Sequence, residues 1–288
     1  MPLLSVVIPY HNNQLQLDRL LDSIADFPEI EILIVDDQSD VPPEVSMRRE
    51  ASARLLETTA SRRWAGSARN IGLAAATGKF VCFADNDDRF VVEGVEALLE
   101  FLPTAHFDVC IARVKSASED EASTARRHIK YNQILDRYKD SGAVPDLLRY
   151  HVPWGKIYRR EFLQSRDIGF DEIVASNDVM FSIRATVYAN RIAVFDREIY
   201  CVTESVGSLT KSNSKPVLEA RFWALCRYND FLRSNGYGDY TGAMSGQLFR
   251  LFRFHHLFFW KAIAVVVSRR YRIFYGIDHI KQILARYV

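Results

Sequence analysis

Cysteine is scarce in this chain. Cys82, Cys110, Cys201 and Cys226 are spread over 288 residues with no CxxC pair, which excludes a disulfide framework and predicts reduced thiols in a cytosolic protein. No apolar run reaches the ~18 residues that a membrane-spanning helix needs. The nearest, Leu257 to Val267, is interrupted by Lys261 and falls well short, so the chain is not expected to cross a bilayer. A charged n-region, apolar h-region and cleavage site are all missing before the first strand, so no secretory signal is expected. There is no internal repeat. Net charge is also nearly absent, at +1, but that balance conceals an asymmetry. Residues 245–288 hold eight Lys/Arg and one acid, against 29 basic and 35 acidic residues in the rest.

With 48% hydrophobic residues, the chain can bury one large core or a core plus a small appendage. Leu3 to Pro9 is a continuous apolar run closed by proline, the pattern of a parallel strand covered on both faces. Leu17, Leu20, Leu21 and Ile24 follow at helical spacing, and Glu31 to Val35 gives a second strand ending in Asp36 and Asp37. The same reading predicts a short strand at 54–58, a helix at 66–76, a buried strand at 79–84, a helix at 92–102 and a strand at 107–114. The predicted class is α/β, with a mostly parallel, Rossmann-like sheet flanked by helices and ligands bound beyond the strands' carboxyl ends. Residues 115–130 are polar and aperiodic, and are expected to form a mobile loop or an excursion over the site.

The strongest local signal is Phe83-Ala84-Asp85-Asn86-Asp87-Asp88, three carboxylates directly after a buried strand. Like charges this close repel unless a cation joins them, and hard oxygen ligands suit Mg²⁺ or Mn²⁺, which can bridge a nucleotide diphosphate. The plainer alternative is an acidic turn that caps the next helix. Gly66-Ser67-Ala68-Arg69-Asn70 puts an Arg and an Asn in the turn or first helical turn leading toward that strand, where Arg69 could meet a phosphate or serve as partner to a nearby acid.

These pieces together resemble a family 2 glycosyltransferase of the GT-A fold, an inverting type that builds bacterial surface polysaccharide. The resemblance rests on Ser5 to Asn12, on Ile34 to Asp40, on Gly66 to Leu73 and on Phe83 to Asp88, four motifs in order. It implies that Asp37 and the backbone near Pro9 and Tyr10 hold the base of a UDP-sugar. It further implies that Arg69 lines the donor pocket, that Asp85 faces the ribose or donor sugar, and that Asp87 is the metal ligand. One departure is plain: in Asp36-Asp37-Gln38-Ser39-Asp40 the usual glycine is missing and the loop is one residue shorter.

The second half continues the resemblance through Pro153 to Leu163, Ile168 to Glu172 and Ser176 to Phe181. It implies that Asp178 is the general base, with Asn177 where Glu is commoner; the alternative is that Asp178 is an N-cap to a helix at 179–188. Trp154 and Lys156 are acceptor-side candidates, with a buried aromatic and a surface lysine as the alternatives. Glu204 and Val206 to Thr210 match a late family segment without a firm role. The domains expected are 1–205 for the catalytic body, with donor half 1–114 and acceptor half 131–205, and 206–288 for a basic, aromatic helical extension.

On one helical projection of that extension, Arg250, Arg253 and Lys261 share a face opposite Phe252, Phe259 and Val266. This predicts peripheral contact through residues 248–287 with the inner face of a membrane, although packing against the body is the alternative. His255 and His256 read as packing or lipid-interface groups, with an extra metal ligand as the alternative. So apolar a stretch does not make a nucleic-acid groove. The acceptor expected is a glycan or a lipid-linked saccharide. The competing readings are an inactive, membrane-bound nucleotide-sugar binder and a sugar nucleotidyltransferase, which would need a Gly-rich phosphate loop after the first strand where Tyr10-His11-Asn12-Asn13 stands.

Overall fold

Strands β1 (Leu4–Tyr10) and β2 (Ile30–Asp36) are rich in Val, Ile and Leu, and every residue of β1 is buried. That fits their place in the middle of a sheet whose two faces are both covered. The computed structural model describes residues 2–24, 26–45, 52–61, 63–119, 125–204 and 212–275. Helix α1 (Gln14–Ser23) lies between these strands and buries Leu17, Leu20 and Leu21, the row read from the sequence; the Asn13 side chain accepts the Gln16 amide at its start. β3 (Ala53–Glu57), α2 (Trp64–Ala75), β4 (Phe80–Phe83), β5 (Arg89–Phe90), α3 (Val92–Phe101) and β6 (Val109–Ser118) follow. Next come α4 (Arg127–Ser141), α5 (Val144–Leu147), β7 (Lys156–Arg159), α6 (Arg160–Ser165), α7 (Asp178–Tyr188) and β8 (Ile192–Glu204).

The eight strands form one sheet in the order β3-β2-β1-β4-β7-β6-β8-β5. β3, β2, β1 and β4 run parallel, as does β6 beside β8, while β7 is antiparallel to both β4 and β6, and β5 to β8. The parallel half is the predicted α/β unit, and β7 turns the sheet into a mixed one. Helix α2 is pressed onto it so closely that a methyl group at Gly72 would stand 2.3 Å from Val7 Cγ1. Phe83, at the end of β4, is packed edge-on by the rings of Tyr158, Phe170 and Phe181. The acidic turn that follows therefore stands on a rigid aromatic base.

Two expectations need correcting. Residues 115–118 and 127–130 are not loop: β6 continues to Ser118 because its far end pairs with Cys201–Glu204 of β8. The Ser116 hydroxyl then accepts the His128 amide, and Glu204 accepts the Arg126 and Arg127 amides, which starts α4. Helix α2 begins two residues earlier than predicted, so Arg69 sits in its second turn and not at its free N–H groups.

The chain divides into two compact units, Met1–Ile173 with Asn177–Val206, and Gly207–Val288 with Val174–Ser176. The second contains α8 (Lys215–Ser234), α9 (Ser245–Phe254) and α10 (His256–Ser268), packed around Leu218, Phe222, Leu251, Phe258 and Val266. The continuous projection used for the tail fails at His255 (φ −152°, ψ 63°), where α9 ends and α10 starts in a new direction. Val266, assigned from that projection to the lipid side, is a core residue at 1% exposure. His255 packs as expected, with Nε2 2.7 Å from Glu219 Oε1. No described helix is long and apolar enough to cross a membrane. All four cysteines are free and buried.

Candidate active site

The carboxyl ends of β1, β2 and β3 form the first part of the site. The Asp37 amide donates to Tyr10 O at 2.7 Å, and His11 Nδ1 lies 2.9 Å from Asp37 O, so the Pro9–Asn12 and Asp36–Asp40 segments are tied edge to edge. Asp36 turns back to hold the Ser39 amide and hydroxyl, and Ser39 Oγ in turn accepts the Asn12 amide. Gln38 takes φ 58° where the family pattern has glycine, so the left-handed turn survives the substitution. Asp37 Oδ1 accepts both the Thr58 hydroxyl, at 3.0 Å, and the Trp64 amide, at 2.9 Å. Trp64 is 41% exposed and has φ 78°, an uncommon conformation for a bulky residue. Neither Thr58 nor Trp64 was anticipated; a bulky residue at a left-handed position leaves no signal in a sequence.

The acidic turn after β4 is the second part. Carboxylate oxygens of Asp85, Asp87 and Asp88 all lie within 4.8 Å of one another. The structure separates their roles. Asp88 is 3% exposed, and its carboxylate accepts the Thr203 amide at 2.6 Å and the Tyr200 hydroxyl. That same Tyr200 oxygen accepts the Asp85 amide at 2.9 Å, so β8 staples the turn at both ends. Burial and the neighbouring Asp85 and Asp87 charges push the Asp88 carboxyl well above its ordinary range. Asp87 lines a cavity of about 240 Å³ with Arg19, Arg89 and Thr203. Burial, then the Asp85 charge, raises its carboxyl to about 6. Three carboxylates crowded this closely, two of them raised by burial and by one another, are a fit for a hard divalent cation.

Arg69 joins this turn to the second half of the chain. Its guanidinium donates to Asp85 Oδ1 at 2.5 Å and to Asn177 Oδ1 at 2.9 Å, and lies over the Phe170 ring. Of the two readings of Arg69, the structure shows the partner of a nearby acid, Asp85. Helix α2 passes so close to Asp171 and Asn177 that a methyl group at Gly66 would come within 2.1 Å of Asp171 O. Asp178, next to Asn177, is the first residue of α7 and not its cap. Its carboxyl is raised by burial against the opposing pull of Arg69, while Asp85 adds a smaller upward push.

Trp154 and Lys156, the acceptor-side candidates, are both buried. Each is 1% exposed: Trp154 stacks on Tyr200 and meets Tyr131 edge-on, while Lys156 Nζ donates to Tyr150 O at 2.7 Å. Burial lowers the lysine to about 7, and Asp178 partly offsets that fall. Glu204 caps α4, and Val206–Thr210 lies outside the described residues.

A family model described as Glycosyl transferase family 2 matches residues 5–166, which include all of β1 but Leu4, the Asp37 loop, Arg69 and the acidic turn. The chain belongs to glycosyl transferase family 2. Among this member's relatives is the poly(ribitol-phosphate) β-N-acetylglucosaminyltransferase TarS of Staphylococcus aureus, 28% identical over 212 residues that make up 70% of this chain and 36% of TarS. The uncharacterized glycosyltransferase EpsJ of Bacillus subtilis is 26% identical over 231 residues, 76% of this chain and 66% of EpsJ. The match thus spans about a third of TarS. The fold is that of the crystal structure of TarS 1–349 in complex with UDP-GlcNAc, at a TM-score of 0.66, 24% identity and coverage of 88% of this chain and 73% of that one. The mannosyltransferase PcManGT of Pyrobaculum calidifontis, in complex with GDP-Man and Mn²⁺, matches with a TM-score of 0.59 at 17% identity over 99% of this chain and 79% of its own. This family 2 member therefore has the GT-A arrangement, a central sheet flanked by helices.

Proposed function

We propose that the chain transfers a sugar from a UDP-linked donor to a hydroxyl group of a glycan or lipid-linked saccharide, with inversion at the anomeric carbon. The observation that carries this reading is the Arg69 bridge, which links the acid at the end of β4 to the residue beside Asp178. Donor-holding and proton-accepting groups thereby belong to one framework. Asp37, with Oδ1 engaged by Thr58 and Trp64, offers its other oxygen to a uracil N–H, and the backbone of Pro9 and Tyr10 walls the base. Asp85 is oriented by Arg69 toward the ribose or sugar hydroxyls. Asp87 is the carboxylate that would hold a Mn²⁺ or Mg²⁺ ion, whose charge would offset that of the diphosphate leaving group.

Asp178 takes the proton as the acceptor oxygen bonds to the anomeric carbon and the bond from that carbon to the phosphate oxygen breaks. The acceptor oxygen bonds to the anomeric carbon on the face opposite the departing diphosphate, so a single carboxylate base suffices. The UDP preference is supported by TarS, whose crystal structure holds UDP-GlcNAc, and a polymeric acceptor by the poly(ribitol-phosphate) in that relative's name. The reaction would then take place at the cytoplasmic side of the membrane.

The test is thermal-shift measurement with UDP-, GDP-, CMP- and TDP-linked sugars, each with and without Mn²⁺. Stabilisation by one UDP-sugar that needs the metal is expected. A shift with GDP-mannose alone, or with no nucleotide sugar at all, would overturn the donor assignment.

A further inference from the structure

Helix α10 has an unusual surface. It is apolar on nearly its whole circumference, with Lys261 its one Lys/Arg/Asp/Glu side chain, yet only one side of it is buried. Phe258, Ala262 and Val266 face the C-terminal core at helical spacing, between 0 and 7% exposed. At 100° per residue the opposite side is Leu257, Trp260, Ala264 and Val267. All four are exposed, Leu257 at 87%, Trp260 at 70% and Val267 at 66%. A surface helix of a soluble domain normally turns charged or polar residues that way.

The aromatic surface continues onto the end of α9. Phe252 is 54% exposed and its ring meets those of His256 and Phe259, and Phe259 meets Trp260. Among the described residues nothing covers this row.

Along α9, α10 and the segment after them the charge has one sign, while Glu219 and Asp230 of α8 are engaged by His255 and Arg269. From Met244 to Tyr275 the sequence has Arg250, Arg253, Lys261, Arg269, Arg270 and Arg272 and not one acid. Arg253, Lys261, Arg270 and Arg272 are exposed. This decides the occupant. A second copy docked face to face would bring two basic rims together, a like-charge approach that disfavours self-association. Anionic lipid meets both features, with acyl chains for the aromatic row and headgroups for the basic collar. At 13 residues α10 is ~20 Å long, too short for a ~30 Å hydrocarbon core but suited to lying in the interface.

We propose that the Leu257, Trp260, Ala264 and Val267 face of α10, with Phe252 beside it and the basic collar around it, docks on an anionic lipid bilayer with the helix in the headgroup plane. This does not depend on the donor assignment, and its readout involves no sugar transfer. The experiment is flotation of the full chain with vesicles of phosphatidylcholine alone and of phosphatidylcholine with one third phosphatidylglycerol. The protein should float with the anionic vesicles and progressively less as salt is added.

Leu257→Glu with Trp260→Glu changes two side chains that lie outside the core, and should lower partitioning roughly 100-fold at unchanged Tm. Arg253→Gln with Lys261→Gln should lower it about 25-fold on anionic vesicles only. The proposal is overturned if the wild-type chain stays in the soluble fraction, if the Leu257/Trp260 variant floats as well as wild type, or if light scattering finds a dimer that this variant dissociates.

Discussion

Replacing Asp87 by Asn should make the metal-free protein more stable while removing its response to metal. The Asp87 carboxyl keeps its proton to about pH 6 in the folded chain, against an ordinary value of 3.8. Between those values the folded state binds more protons than the unfolded one, so this group makes stability fall as pH rises from about 4 to 6, with the full cost persisting above. A shift of about two units corresponds to about 3 kcal/mol. Partial solvent exposure and the Asp85 and Asp88 neighbours reduce the recoverable part to about 1–2 kcal/mol. Asp87→Asn should then raise Tm by roughly 2–6 °C at pH 7.5 in EDTA, and the gain should vanish near pH 4.

Manganese should reverse the ranking. Wild type would gain about 2.7 kcal/mol at a Mn²⁺ concentration 100 times its Kd, and the variant little. Differential scanning fluorimetry over pH, with and without Mn²⁺, reads both effects. A variant less stable than wild type in EDTA, or one with an undiminished Mn²⁺ shift, would refute the assignment of Asp87 as a strained ligand.

Asp178→Asn should lower kcat at least about 10³-fold yet keep the thermal shift with donor, since the base acts in the reaction and not in donor binding. Because burial raises the Asp178 carboxyl, the acid limb of wild-type kcat/KM should lie closer to neutrality than an ordinary aspartate would put it; a rate constant down to pH 4 would count against this base. Tyr200→Phe leaves the Asp85 amide and the Asp88 carboxylate without their shared hydroxyl and should cost about 1–3 kcal/mol in urea denaturation. Gly66→Ala must push Asp171 and Asn177 away from α2, so a loss of about 1–3 kcal/mol is expected, together with a raised KM for donor; unchanged values for both would mean that Arg69 does not depend on this contact.

Much of the site was legible because its groups follow strand ends. Asp36-Asp37 and Asp85-Asn86-Asp87-Asp88 each close an apolar run, and a run of that kind can be read without knowing its neighbours. Their division of labour was not legible. Asp88 looks like Asp87 in the sequence, and becomes a structural tie only because Tyr200 and Thr203 arrive from a strand more than a hundred residues later. For Trp154 and Lys156 the sequence leaves ligand-facing, buried and surface positions open, and it is the structure, with β7 inserted between β4 and β6, that shows both buried.

The sequence by itself determined the alternation of strand and helix through residue 114, the acids at the strands' carboxyl ends, and the concentration of positive charge and aromatics in the last 44 residues. These are properties of period and order along the chain, which backbone geometry imposes locally. Tertiary structure decided the rest. It joined Arg69 to Asn177 across 108 positions, extended β6 past its polar residues by pairing them with β8, and broke the tail at His255. That break turns Val266 inward and Leu257, Trp260 and Val267 outward. The reason is the same in each case: which of several similar side chains is buried, paired or exposed depends on what lies opposite it, and that partner comes from a distant part of the chain.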